Sequence, residues 1–257
     1  MRLIKSISLI INYKTFILTG LSVLSSYLCY KYELTAAFPD MLVGIAVVFP
    51  VVFSIGSAFN RRENALRHLS DFNGHLITTF YALRDWPSKQ NDVPVKYKAI
   101  MTSVYEKMKV LFNTHEPKTM KKLETEISDH FSELSALSKE LRQLGVQGTE
   151  VSRINQYLSK MIIAFDNMKM IHHYRTPVTL RAYSKVFIYM FPIVYGPYFA
   201  NNFHNFSGHL EYVMPVLYSF ILVSLDNIQD HLEHPYDNVG EDDIMIDPEE
   251  VIRSMKV

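Results

Sequence analysis

Met41–Asn60 reads MLVGIAVVFPVVFSIGSAFN, a run with no formal charge. At the helical rise of about 1.5 Å per residue it extends about 30 Å, the thickness of a bilayer's hydrocarbon core. Three further stretches share that property: Thr15–Tyr30, TFILTGLSVLSSYLCY; Val186–Leu210, VFIYMFPIVYGPYFANNFHNFSGHL, with neutral histidines; and Tyr212–Leu225, YVMPVLYSFILVSL. The first and last are shorter than the roughly 20 residues a perpendicular span requires. Flanking Lys31 and Asp226, with Tyr30 and Tyr212, lengthen them by snorkelling or by sitting in the headgroup layer. Buried core helices of a soluble bundle are the alternative. Four uncharged stretches in one chain of 257 residues weigh against it.

Composition sets the outer limits. The 26 Lys+Arg balance 26 Asp+Glu, which excludes a nucleic-acid binder working by bulk positive charge. Hydrophobic residues at 48% exceed what a disordered chain carries. The single cysteine, Cys29, excludes an internal disulfide framework and a thiolate metal cluster.

Charge at the ends of the four stretches orients them. Arg2, Lys5 and Lys14 precede the first; Arg61, Arg62 and Arg67 follow the second; Arg175, Arg181 and Lys185 precede the third. The first connection carries only Lys31 as a basic residue, and Asn201–Glu211 carries none. The positive-inside rule then puts both termini and the long middle segment on the cytoplasmic side, with two short loops outside. The chain divides into 1–60 (first two membrane helices), 61–182 (cytoplasmic helical region), 183–228 (last two membrane helices) and 229–257 (acidic cytoplasmic tail).

The middle segment has the helical period. Apolar residues fall at Met120, Leu123, Ile127, Phe131, Leu134, Leu137, Leu141 and Leu144 before Gly145 stops the run. A second stripe runs Val151, Ile154, Leu158, Met161, Phe165 and Met168, and Pro177 breaks it. A shorter helix over Val95–Phe112 puts Met101, Tyr105, Met108 and Phe112 on one side. No alternating strand pattern occurs.

Candidate functional residues are few. Ile45, Phe49 and Phe53 lie at i, i+4 and i+8, one stripe of a helix. Pro50 lies beside the stripe; Ser54, Gly56 and Ser57 permit close helix approach. Val51, Ile55 and Phe59 form the alternative register of the same helix. Asp226, Asp230 and Glu233 define an acidic face of the last helix, which Pro235 ends. Glu241, Asp242 and Asp243 follow Gly240, and two readings stay open there: hard oxygen ligands for calcium, or a solvated tail. His172–His173, and His231 with His234, are too few to repeat the clusters of a membrane di-metal enzyme. No phosphate loop, nucleophile elbow or supported Cys–His pair appears. The sequence reads as a non-enzyme.

The tail SLDNIQDHLEHPYDNVGEDDI resembles the bestrophin signature, in which the last membrane helix runs through an acidic helix into an Asn/Asp/Glu–Pro–Phe–Gly turn and an acidic cluster. Here the turn is His234-Pro235-Tyr236-Asp237. Tyr174-Arg175-Thr176-Pro177-Val178 resembles the Thr–Pro element before the family's third membrane helix. Span order and length fit as well. The resemblance implies an all-α membrane protein with four transmembrane helices per subunit and a cytoplasmic helical bundle, assembled as a homopentamer in the lipid bilayer. It implies an ion channel for chloride and other small anions. By the family's pattern the pore neck is Ile45, Phe49 and Phe53, with Arg61 below it. Tryptophans normally follow that arginine; Arg62 and Glu63 stand there instead. A second, cytoplasmic constriction is expected near Val151 and Ile154. Animal members hold calcium in the acidic cluster, which makes Glu241, Asp242 and Asp243 candidate ligands, although Ile244 and Met245 interrupt it. Bacterial relatives conduct without calcium, so no cofactor is required. A non-conducting scaffold of the same fold and a membrane metalloenzyme using His172 and His173 are the competing expectations.

Overall fold

The computed structural model describes residues 11–37, 40–174, 177–203, 210–238 and 243–256, without the side chains of 40–43 and 46. Those residues form helices and no strand: α1 (Tyr13–Lys31), α2 (Asp40–Asp85), α3 (Val93–Asn113), α4 (Pro117–Gln143), α5 (Gly148–His173), α6 (Val178–Val194), α7 (Gly196–Phe203), α8 (Leu210–Leu232) and α9 (Pro248–Ser254). The all-α expectation holds. Two compact units divide the described residues, one holding 11–62 and 177–234, the other 63–174, 235–238 and 243–256. The boundary expected after residue 60 therefore falls inside one continuous helix, α2.

In the first unit, α1 packs against α6, α7 and α8. Asn12 caps α1, its side chain accepting from the N–H groups of Lys14 and Thr15, while its amide donates to Asn227 of α8 at 2.7 Å. The buried face of α1 is small and polar: Thr15, Leu18, Ser22, Ser26 and Cys29. Its hydroxyls have partners across the interface, Ser22 donating to the Pro192 carbonyl at 2.7 Å and Ser26 to that of Glu211 at 2.9 Å. Such residues let backbones approach. The approach is closest at Gly196, where a Cβ would stand 2.3 Å from Ser25 Oγ and 3.0 Å from the Ser25 main chain.

The third uncharged stretch is not one helix. α6 ends at Val194, Tyr195 caps it, and α7 begins at Gly196; residues 204–209 lie outside the described part. Pro192 lacks the N–H that a helix interior uses, and Gly196-Pro197 opens a separate helix. Among the described residues no helix is both long and apolar enough to cross a membrane. Lys14 and Lys31 sit within α1, Arg181 and Lys185 within α6, and Glu211, Asp226 and Asp230 within α8. The most apolar expected span, 41–60, includes the side chains left undescribed.

The second unit has one apolar core. Ile127, Phe131, Leu134, Leu137 and Leu141 line the buried face of α4, and Gly145 at φ +84° turns the chain out of it. The stripe expected on α5 is buried throughout. Tyr97 and Tyr105 enter the same core. The Tyr97 hydroxyl donates to the Leu76 carbonyl at 3.0 Å, that of Tyr105 donates to Asn73, and burial pushes both well above the usual tyrosine range. The C-terminal segment also belongs here. Tyr236, Ile244, Ile246, Val251 and Met255 are buried in this core, and the Met255 carbonyl accepts from Lys98 Nζ at 2.7 Å. What was expected to be one acidic tail over 229–257 is divided, its described residues beyond 234 packing as an integral part of the helical unit.

Candidate pore-lining surface

Within the first unit α2 has two unlike faces. Val47 and Val51, 3% and 2% exposed, pack with Ile188 of α6 and Leu222 of α8, and Ile55 adds to that cluster. Ser54 and Ala58 continue the buried face. The opposite face carries Ile45, Phe49 and Phe53 at 46%, 57% and 59% exposure, with Val48 and Val52 beside them. The two phenylalanine rings lie 5.7 Å apart, tilted by 42°. The competing register, Val51–Ile55–Phe59, is therefore not one exposed stripe, since Val51 is in the packed face.

Arg61 closes the buried face. Its Nε donates to the Glu233 carbonyl at 3.0 Å, while the Glu233 carboxylate, sealed from solvent, pairs with Arg181 at 2.7 Å. One turn up α8, the Lys185 ammonium bonds both oxygens of Asp230 at 3.0 and 3.1 Å and stands 3.6 Å from Asp226. Asp226 also accepts from the Tyr189 hydroxyl at 2.6 Å, and Lys14 lies 3.6 Å from Asp230. The acidic face of the last helix turns inward: Asp226 and Glu233 are buried and paired with bases of α6. Sequence alone does not reveal these partners because each pair is separated by more than forty residues. The available signal was the matched spacing, with Arg181 and Lys185 four apart against Asp226, Asp230 and Glu233 on the other helix.

Val151 and Ile154, expected at a cytoplasmic constriction, lie in the core of the second unit. Both side chains are buried there, 2% and 4% exposed. Glu241 and Asp242 lie outside the described residues; Asp243 is half-buried, and the next residue, Ile244, donates its N–H to the Pro235 carbonyl at 2.7 Å. Among the described residues no group of three His, Cys, Asp or Glu side chains is placed to hold a metal. The His172 ring stacks on His115 at 6.3 Å and meets Phe112 edge-on, and His173 Nε2 pairs with Glu124 at 2.5 Å.

One hydrogen-bonded chain looks chemical: Ser103 Oγ to His130 Nε2 at 3.0 Å, and His130 Nδ1 to Glu133 at 3.1 Å. It joins the middles of α3 and α4, where backbone N–H groups are engaged in their own helices. Nothing there offers an oxyanion two converging donors.

No family model and no curated protein matches this chain. Solved structures do. A mutant form of a bacterial bestrophin homolog from Klebsiella pneumoniae is 16% identical, with a TM-score of 0.80 over 94% of this chain and 97% of that one. The same homolog solved by Zn-SAD phasing is 15% identical, with a TM-score of 0.79 over 95% and 96%. A third structure, described as a membrane protein, is 16% identical, with a TM-score of 0.80 over 95% and 98%. At such identities the likeness is one of fold, and it spans nearly the whole chain. The protein has the bestrophin-like fold.

Proposed function

We propose that this chain is one subunit of a bestrophin-like ion channel, a membrane homopentamer passing chloride and other small anions along a central axis. The observation that carries the reading is the exposed stripe Ile45–Phe49–Phe53 on a helix whose other face is fully packed. Large aromatic side chains at that exposure want an apolar or aromatic neighbour. Equivalent side chains of symmetry-related copies supply one.

Physics favours a shared axis over a path through one subunit. An isolated ion in hydrocarbon faces an idealised penalty of order 20 kcal/mol. Conduction therefore needs an enclosed wet path, and among the described residues the face of α2 opposite the stripe is packed against α6 and α8. A ring of phenylalanines narrows a path between copies. Ring edges carry the positive side of the aromatic quadrupole and hold an anion weakly, or the ring closes by dewetting. Arg61 lies further along the same helix, at the end of its packed face, where its Nε–H donates to the Glu233 carbonyl.

In this reading both termini and the helical region lie on the cytoplasmic side, and conduction needs no cofactor. Calcium, if it acts, does so through Glu241, Asp242 and Asp243. Planar-bilayer recording of the purified protein tests the reading. Current with a reversal potential following the chloride gradient supports it, and Phe49→Ala with Phe53→Ala enlarges that current. Silence from both proteins overturns it.

A further inference from the structure

Behind the exposed stripe, α2, α6 and α8 pack in layers. One layer is apolar: Val47 and Val51, Ile188, and Leu222. The ion pairs fix how the helices run. Tyr189 meets Asp226, Lys185 meets Asp230, and Arg181 meets Glu233, so numbers fall along α6 as they rise along α8. Val47 and Val51 share an apolar cluster with Leu222, and Arg61, further along α2, reaches Glu233, further along the chain from Leu222, so α2 runs parallel to α8. One turn on from that layer along each helix stand Ser54, Ser184 and Asp226, with Gln229 a turn further along α8. All four are buried.

Three oxygen atoms in this polar layer have no hydrogen-bond partner: Ser184 Oγ, Asp226 Oδ1 and Gln229 Oε1. Lys185 balances the charge of Asp226 from 3.6 Å, beyond hydrogen-bond reach. Gln229 turns its NH2 to the Glu233 carboxylate at 3.4 Å, which directs its oxygen elsewhere. Buried polar atoms almost always find a partner. These three are sealed inside one subunit, so a neighbouring copy cannot supply it.

We propose that a water molecule is bound in this layer, donating to Asp226 Oδ1 and Gln229 Oε1 and accepting from the Ser184 hydroxyl. Two acceptors and one donor match what a single water offers. A monovalent cation would also favour oxygen ligands, but Lys14 and Lys185 already balance Asp226 and Asp230. The site is independent of whether the chain conducts. It makes the packing behind the Phe49–Phe53 helix depend on hydration.

X-ray radiolytic labelling of the intact protein in lipid nanodiscs tests this, because a bound water generates hydroxyl radical in place. Ile188, fully buried beside the layer, is expected to be oxidised several-fold faster than Leu76, equally buried in the dry core of the second unit. Gln229→Leu, which removes an acceptor and fills space, is expected to bring Ile188 down to the Leu76 rate with helicity retained. Should that variant fail to fold, Ser184→Ala, which deletes only the donor, is expected to slow the labelling. Labelling of Ile188 no faster than Leu76 in the unaltered protein overturns the proposal. So does a melting temperature that rises when sodium replaces choline as the chloride salt, which would identify a cation as the occupant.

Discussion

Arg181 and Glu233 form an ion pair at 2.7 Å in which the carboxylate is withdrawn wholly from solvent, and the carbonyl of the same Glu233 receives the Nε–H of Arg61. The residue that follows α8 thus ties the helix of the exposed aromatic stripe to α6. Removing a single partner strands a buried charge, which costs about 3–5 kcal/mol. Arg181→Ala is expected to destabilise the protein by about 3 kcal/mol, the lower end of that range, because the guanidinium is partly solvated. Chemical unfolding in a fixed detergent measures it. A change below the error of that measurement would show that the pair does not hold the helices.

Gly196 sits where α7 meets α1. A methyl group there would lie 2.3 Å from Ser25 Oγ and 3.0 Å from its main chain, and rotation of the hydroxyl relieves only the first contact. Gly196→Ala is expected to cost about 1–3 kcal/mol, the range for overpacking. Adding Ser25→Gly should recover part of that loss in the same unfolding assay, despite the loss of the Ser25 hydrogen bond to Ile193.

Tyr236 tests whether the segment after α8 belongs to the helical core. Its ring packs on Phe112 at 4.7 Å and its hydroxyl donates to the Ala65 carbonyl at 3.1 Å. Tyr236→Phe removes only the hydrogen bond and is expected to cost about 1 kcal/mol. Tyr236→Ala also empties the ring's space and is expected to cost about 3–5 kcal/mol. Equal, negligible effects would return the segment to the solvated tail expected from its acidic composition.

His75 gives the helical unit a pH dependence. Partial burial first, and Lys160 second, hold its pKa below the ordinary 6.5, with Asp71 opposing them. The folded protein then binds this proton less readily than the unfolded chain. Stability is therefore full above 6.5 and is lost as pH falls towards the depressed folded value. Unfolding midpoints between pH 7 and 5 should fall less steeply in His75→Gln than in the unaltered protein. Identical slopes would remove His75 as the cause.

Much of this fold is legible in the sequence because helical period records which face is buried. Ile127, Phe131, Leu134, Leu137 and Leu141 repeat at three and four, and the chain leaves the helix at Gly145 because glycine tolerates a positive φ. The exposed face of Ile45, Phe49 and Phe53 is half legible. Periodicity groups the three residues, but both faces of α2 are apolar, so only packing against Ile188 and Leu222 separates that stripe from Val47 and Val51. Absence of charge misleads over 186–210, since it ignores Pro192 and Gly196-Pro197, which divide the stretch. Acidic letters mislead at the C-terminus. Ile244, Ile246, Val251 and Met255 lie among acids too irregularly for a helical stripe, yet all four are buried. Val151 and Ile154 belong to a stripe whose helical period is legible, and both side chains lie in the core of their unit.

The central claim is geometric, and single-particle imaging of the protein in lipid nanodiscs addresses it directly. Five copies around one axis, with the side chains of Phe49 and Phe53 turned towards it and Val47 and Val51 turned away, are the arrangement expected. A solitary chain, or a ring in which Phe49 and Phe53 face the acyl chains, would contradict it.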